Sequence, residues 1–314
     1  MPSRLATTRT LSAIALAVIT LEGIASVACA AESYRFTRRP AALGDRATQS
    51  VEFGLKVSMV MHQSGQVIEQ ADRDMRRKQT RTMEVLEIND GLVTKARVRY
   101  GASEESVIES DGATARVEHP VVGKTYLVSR TNGEGANREG ADGEGAELVV
   151  TDIQGNVPPP EELAIVQSSM DSVGRTNPWT NFLAGQTLTQ GEAVRMPNHL
   201  AADLFGVGEA VGDVSYFEVT LAETRQVRGA TCAVLEAKIE AKSPLGTGVE
   251  MLVSGKFLVE IDTCRTLAIE LSGDVAVVET HGPAGGEYTV EGKGTMRVAI
   301  EAQYGSARAR TTSR

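Results

Sequence analysis

Apolar and polar residues alternate with a period of two through most of this chain, a pattern that predicts antiparallel β-sheet. Phe53, Leu55, Val57, Met59 and Met61 alternate with Lys56, Ser58 and His62, and Ala96, Val98 and Tyr100 alternate with Lys95, Arg97 and Arg99. The second half carries more of the same: Phe217, Val219 and Leu221, then Ala233, Leu235, Ala237 and Ile239. Met251, Val253, Phe257, Val259 and Ile261 follow, then Leu267, Ile269 and Leu271. In the last run Tyr288, Val290, Met296, Val298 and Ile300 share one face, and Glu287, Glu291, Lys293, Arg297 and Glu301 share the other. Charge on the second face predicts a sheet covered on one side only. Runs this long exceed the usual strand, so the sheet is expected to curl, with Gly292 and Gly294 as easy bending points. Turn residues at Arg228-Gly229, 244–248, Asp262-Thr263 and 282–286 connect the later strands as a meander.

Helix is scarce. Pro158-Pro159-Pro160 followed by Glu161-Glu162 reads as a helix start, with acids near the positive end of the dipole. Leu163, Val166, Met170 and Val173 keep helical spacing until Gly174. A shorter helix is expected from His199 to Phe205. The fold class is therefore mainly β (α+β): long curved antiparallel sheets in two β-rich halves, 31–157 and 198–304, with one or two short covering helices. The segment 158–197, which holds the only tryptophan, Trp179, is the expected helical connector. Thr82–Tyr100 around Gly91 and Phe217–Ile239 around Gly229 share a strand–glycine–strand plan that hints at duplication. A Gly/Glu-rich stretch, 131–147, reads as an expanded loop, and the small basic tail 305–314 as disordered.

Residues 1–30 have the form of an export signal. Arg4 and Arg9 precede an apolar stretch from Leu11 to Ile19, and Ala28-Cys29-Ala30 fits the small-x-small cleavage rule. The stretch is too short, and too soon interrupted by Glu22, for a membrane span, and no later segment reaches about 18 consecutive apolar residues. The expected address is periplasmic or secreted. A lipidated Cys29 is the alternative, which would anchor the protein to the outer membrane; Val27 and Ala28 suit it, but Ser26 stands where a branched aliphatic belongs. Export leaves Cys232 and Cys264 as a lone pair, expected to form one disulfide in an oxidising compartment, the alternative being two separate thiols, one of them buried and inert.

The chain carries 32 Lys+Arg against 41 Asp+Glu, a formal charge of −9, which argues against nucleic acid as a bulk electrostatic partner. Against that background the run Arg73-Asp74-Met75-Arg76-Arg77-Lys78 with Arg81 is conspicuous. It suits either an anionic partner such as a lipid head group or, as the preferred reading, a charged strand edge protected from pairing.

Candidate chemistry is otherwise thin. His62, His119, His199 and His281 have no histidine or cysteine at metal-ligand spacing, so no metal site or cofactor is expected. No serine sits in Gly-x-Ser-x-Gly, and His62-Gln63-Ser64-Gly65 reads as a hairpin turn. Gly206 to Gly212 misses the dinucleotide-loop spacing and precedes a strand. Glu104 and Glu105 on a strand point to opposite faces, and Glu161-Glu162 is explained by the helix start. Aromatic residues make up 4% of the chain, too few to line a sugar-binding cleft.

Two stretches carry a resemblance. Cys232 to Ile239, followed by Gly255 to Asp274 ("GKFLVEIDTCRTLAIELSGD"), resembles the repeating hairpin of exported bacterial half-barrel proteins, the periplasmic lipoprotein-carrier superfamily. Leu183 to Pro197 ("LAGQTLTQGEAVRMP") is similar to a linker in exported bacterial proteins of unknown function. The resemblance implies a curved antiparallel sheet whose concave face is covered by helix and holds an acyl chain, with no catalytic residues. This chain departs from the compact carriers in its length and in lacking a clear second long helix.

The expected function is a non-enzymatic envelope binding or carrier module. Its apolar concave face would be lined by Leu235, Ile239, Val253, Phe257, Val259, Ile269, Val290 and Val298, and its partner would be a hydrophobic small molecule, a lipid or a segment of an envelope protein. The alternatives are a structural envelope protein without a cavity and, behind it, a hydrolase with a spatially assembled site.

Overall fold

The computed structural model describes residues 32–108, 112–130, 147–205, 213–242, 248–281 and 287–305. The leader with Cys29, residues 131–146 of the Gly/Glu-rich stretch, residues 206–212, most of the turn expected at 244–248, the turn expected at 282–286 and most of the basic tail lie outside the described residues.

The fold is mainly β. The first half supplies β1 (Ser33–Arg35), β2 (Arg46–Gln63), β3 (Gln66–Asn89), β4 (Leu92–Ile108), β5 (Thr114–Glu118), β6 (Thr125–Arg130) and β7 (Leu148–Asp152). The connector holds α1 (Pro160–Met170), α2 (Pro178–Leu183), β8 (Thr187–Thr189) and β9 (Ala193–Arg195), and α3 (Asn198–Phe205) follows. The second half is β10 (Asp213–Val227), β11 (Ala230–Lys242), β12 (Gly248–Glu260), β13 (Thr266–His281) and β14 (Tyr288–Gly305). Among these, β1 pairs with β8, and the rest form one antiparallel sheet in the order β7-β6-β4-β3-β2-β14-β13-β12-β11-β10-β9, with β5 beside β4. The two halves are thus one sheet, joined by the pairing of β2 with β14 along the full length of both strands.

The hairpins are set by local chemistry. Ser64-Gly65, Asp90-Gly91 and Arg228-Gly229 all have positive φ at both positions, the type I′ geometry whose twist matches that of the flanking strands. Ser64 therefore sits in the turn with His62 on β2 just before it, and the strand–glycine–strand plan is present in both β3–β4 and β10–β11. Because β3 is paired on both sides, the basic run of Arg73 to Arg81 is not a strand edge; it lies on an interior strand.

Helices cover the two ends of one sheet face. At one end Trp179, Phe182 and Leu183 of α2 and Ala201 of α3 pack on Phe217, Leu221, Leu235, Ile239, Val253 and Phe257. At the other, Val166 and Met170 of α1, with Val173 beyond it, pack on Ala96, Val98, Tyr100, Tyr126 and Val128. Glu162 does not act as a helix-start acid alone. It is 7% exposed and turned onto the sheet, where it accepts hydrogen bonds from Lys124 Nζ and Tyr126 Oη, both at 2.6 Å. Those bonds, Lys124's first, hold its carboxyl below the usual carboxylate range. A carboxyl with a depressed folded-state pKa stabilises fully above its unfolded value, and that stability is lost as pH falls through the folded value. Glu162→Gln is expected to lower stability at pH 7 by about 2 kcal/mol. It is also expected to flatten the loss of stability below pH 4.5, both read by urea unfolding at several pH values.

Two further expectations are corrected. Cys232 and Cys264 are both buried and both free. Cys232 lies with Val234 and Leu258 on one face of the sheet, and Cys264 belongs to the Trp179 core on the other. A bridge needs the two Cβ atoms to face each other about 4 Å apart, which this placement denies. Burial pushes the Cys264 thiol up to about 11, so it is inert at neutral pH. Leu267 leaves the face of Ile269 and Leu271 and packs beside Cys232, because the β12–β13 ladder slips register between Leu258 and Val259.

Candidate functional site

Directly paired residues of an antiparallel ladder share a face, so the register gives rows of side chains across the sheet. On the helix-covered face one row reads Phe257, Ile269, Ile300, Val51 and Gln79. The next reads Gly255, Leu271, Val298, Phe53, Arg77 and Glu105, and the third Val253, Gly273, Met296, Leu55, Met75 and Val107. Further rows add Val275 with Val57 and Val277 with Met59. All eight residues named from the sequence lie on this one face.

Their surroundings differ. Leu235, Ile239, Val253, Phe257 and Val259 are sealed under α2 and α3, so they build core; Ile269 and Val298 pack at its margin. Val290 lies farther along, opposite Met61 on β2 and Glu279 on β13. Between the two helix-covered ends, Phe53, Leu55, Val57, Met59 and Met61 of β2 are only half-buried and belong to neither packed core among the described residues. This strip, about 26 Å from Phe53 to Met61 at strand rise, is the apolar surface that the described helices leave uncovered.

One end of the strip is closed by the chain before β2. Phe36 N–H donates to Gln186 O, Thr37 N–H to Ile261 O and Gly44 N–H to Val85 O, so this segment crosses from the β12–β13 turn to β3. Arg265 fastens it, pairing with Asp45 at 2.8 Å while its guanidinium lies 4.9 Å over the Tyr304 ring.

Beside the strip, β3 contributes a basic row to the same face. Arg73, Arg77 and Arg81 alternate with Met75 and Gln79, while Asp74, Arg76 and Lys78 turn to the other side. Arg81 is half-buried, with its guanidinium turned inward. Its guanidinium donates to Gln49 Oε1 at 2.9 and 3.1 Å and to Ser169 O at the end of α1, and burial lowers its pKa from the ordinary value. Ser169 Oγ also meets Tyr100 Oη. Next to it Gln79 Nε2 donates to Ser103 Oγ at 3.2 Å, and Ser103 Oγ lies 2.9 Å from His119 Nδ1. Burial, then the Arg77 charge, lower the His119 pKa, while Glu105 opposes them from 3.9 Å. Neither Arg77 nor Arg81 has a carboxylate within ion-pair distance among the described residues.

The opposite face is charged and internally paired. Lys78 meets Glu52 at 2.6 Å, Asp74 takes Arg76 at 3.0 Å and Lys56 at 3.5 Å, and Arg116 meets Glu104. The Lys78 hydrogen bond holds Glu52 below the usual carboxylate range. A hollow of about 830 Å³ lies across β13, β14, β2, β3 and β4, lined largely by this face. A twisted sheet is concave along one diagonal on each side. Because the charges walling this hollow already neutralise one another, the apolar strip is the stronger candidate site. Among the described residues, no three His, Cys, Asp or Glu side chains converge as a metal site, and no helix is long and apolar enough to cross a membrane.

Alternation put Phe53 to Met61 on one strand face, but the eight residues expected to line the site did not include them, and the roles of Arg77 and Arg81 were missed as well. Their spacing, Arg73, Arg77 and Arg81 at every fourth position, is the signal that places them together on one face of a strand.

No protein-family model and no curated protein matches this chain. Among solved structures, one of lipovitellin, on its lipid–protein interactions, is similar at 8% identity over 87% of this chain, with a TM-score of 0.37. The chain spans 26% of that lipovitellin chain's length. The outer membrane protein OprG from Pseudomonas aeruginosa is similar at 7% identity over 86% of this chain and 100% of that one, with a TM-score of 0.17. At such scores neither likeness carries an argument about function.

Proposed function

We propose that this is an exported, non-enzymatic binding module whose apolar strip receives a hydrophobic ligand. The observation that carries the reading is the half-buried row Phe53, Leu55, Val57, Met59 and Met61, flanked by two helix-covered cores and left open between them. Contiguous apolar surface of this kind is unfavourable in water, and a ligand that buries it gains roughly 25 cal/mol per Å² of apolar area. The carrier-like hairpins seen in the sequence support the same reading.

The test is titration with N-phenyl-1-naphthylamine, a neutral apolar probe whose fluorescence rises on burial. Saturable enhancement by the wild type, reduced about ten-fold or more in affinity by Val57→Glu at unchanged melting temperature, is expected. No enhancement by the folded wild type would overturn the proposal. A second reading, docking of an envelope protein, is favoured by Val67 and Ile68 near the β2–β3 tip, which are 59% and 52% exposed. That reading requires Val67→Glu, and not Val57→Glu, to abolish co-purification of the partner.

A further inference from the structure

The basic row on β3 narrows the ligand class, an inference that rests on the apolar strip being the binding surface. Period-2 alternation divides the charge run in two. Asp74, Arg76 and Lys78 are consumed in ion pairs on the charged face. Arg77 and Arg81 are sent to the apolar face, about 13 Å apart along the strand. On that face Arg77 lies directly across from Phe53 on β2, at the end of the strip nearer the closing segment. Across from it on β4 stands Glu105, whose carboxylate is turned to His119 at 3.9 Å. Arg77 makes no hydrogen bond or ion pair among the described residues. Arg81 has only neutral partners, the Gln49 amide, the Ser169 carbonyl and the Tyr100 hydroxyl. Two half-desolvated guanidiniums without a carboxylate partner form an unbalanced positive spot in a chain of net charge −9. A planar guanidinium beside an apolar wall is matched by a carboxylate that carries a hydrocarbon chain.

We propose that the ligand is a fatty carboxylate, its head group on Arg77 with Arg81 behind it and its alkyl chain along Phe53, Leu55 and Val57. A neutral lipid of equal chain length lacks the charge-assisted bond, which is the basis for discrimination. Arg77 rather than Arg81 is the residue to vary, because Arg81 also holds the end of α1 in place.

Displacement of bound N-phenyl-1-naphthylamine by laurate and by 1-dodecanol, at equal ionic strength, tests this. Wild type is expected to release the probe to laurate at about ten-fold lower concentration than to dodecanol. Arg77→Gln should bring the two together by weakening laurate alone, Arg77→Lys should keep a preference, and Glu105→Gln should sharpen it. Equal displacement by laurate and dodecanol in the wild type overturns the carboxylate assignment and leaves the apolar strip standing. Preservation of the full laurate preference in a folded Arg77→Gln protein moves the head group elsewhere and overturns it as well. Failure of the neutral probe to bind at all counts against the strip itself.

Discussion

Trp179→Ala is expected to lower unfolding stability by about 4 kcal/mol, read by urea unfolding followed with far-ultraviolet circular dichroism. Trp179 stands on α2, at the centre of the core that seals one end of the sheet. Its ring lies 4.8 Å from Phe257, 5.9 Å from Phe217 and 6.0 Å from Phe182, so deletion opens a cavity against three rings at once. Aromatic pairs contribute about 0.5–1.5 kcal/mol each beyond their burial, which places the loss at the upper end of large-to-small substitutions. The indole Nε1 is buried without a hydrogen-bond partner among the described residues. Trp179→Phe therefore removes volume and an unsatisfied donor together, and its cost should be only about 1–2 kcal/mol. Equal losses for alanine and phenylalanine would show that ring packing is not what holds α2 to the sheet.

Gly294→Ala should be nearly as damaging, at about 3 kcal/mol, although the side chain gained is a single methyl. A Cβ at Gly294 would sit 1.8 Å from Lys56 O and 2.7 Å from Val57 Cα, both backbone atoms that cannot swing aside. Gly273 meets Leu252 O at 2.1 Å, and Gly255 meets Glu270 O at 1.8 Å. The register puts these three glycines on neighbouring strands, each one row on from the last, so they form a diagonal across β12, β13 and β14 on the apolar face. Along this line the coiling of the sheet brings a neighbouring backbone into the space a side chain would take. Gly54, also within a long strand, has nothing within 4 Å of its Cβ position. Gly54→Ala should change stability by less than about 0.5 kcal/mol. Comparable melting temperatures for the two alanine variants would remove the diagonal as a structural device.

Much of this architecture was legible along the chain because a strand with one wet face must alternate. The long runs around Phe53, Leu235 and Val298, the glycine hairpins, the helix after Pro158 and the shorter one near His199 all follow from local patterns that neighbours do not override. The basic run was misjudged for the opposite reason. An interior and an edge strand look alike in sequence, and only the pairing of β3 with both β2 and β4 distinguishes them. Likewise Cys232 and Cys264 are near one another along the chain and chemically able to bond, yet strand parity and the intervening turn send them to opposite sides of the sheet.

The candidate site shows the same division. Alternation by itself determined which residues share the apolar face, since side-chain direction on a strand is a local property. Which part of that face is core and which is left bare was decided by where α1, α2 and α3 come to rest, a matter of packing between segments far apart in sequence. The tertiary structure also decided that β2 and β14 join the halves into one sheet, and that Arg77 and Arg81 stand beside an uncovered apolar strip. Pairing between distant strands is set by the whole surface each can bury, and no short window of residues contains that information.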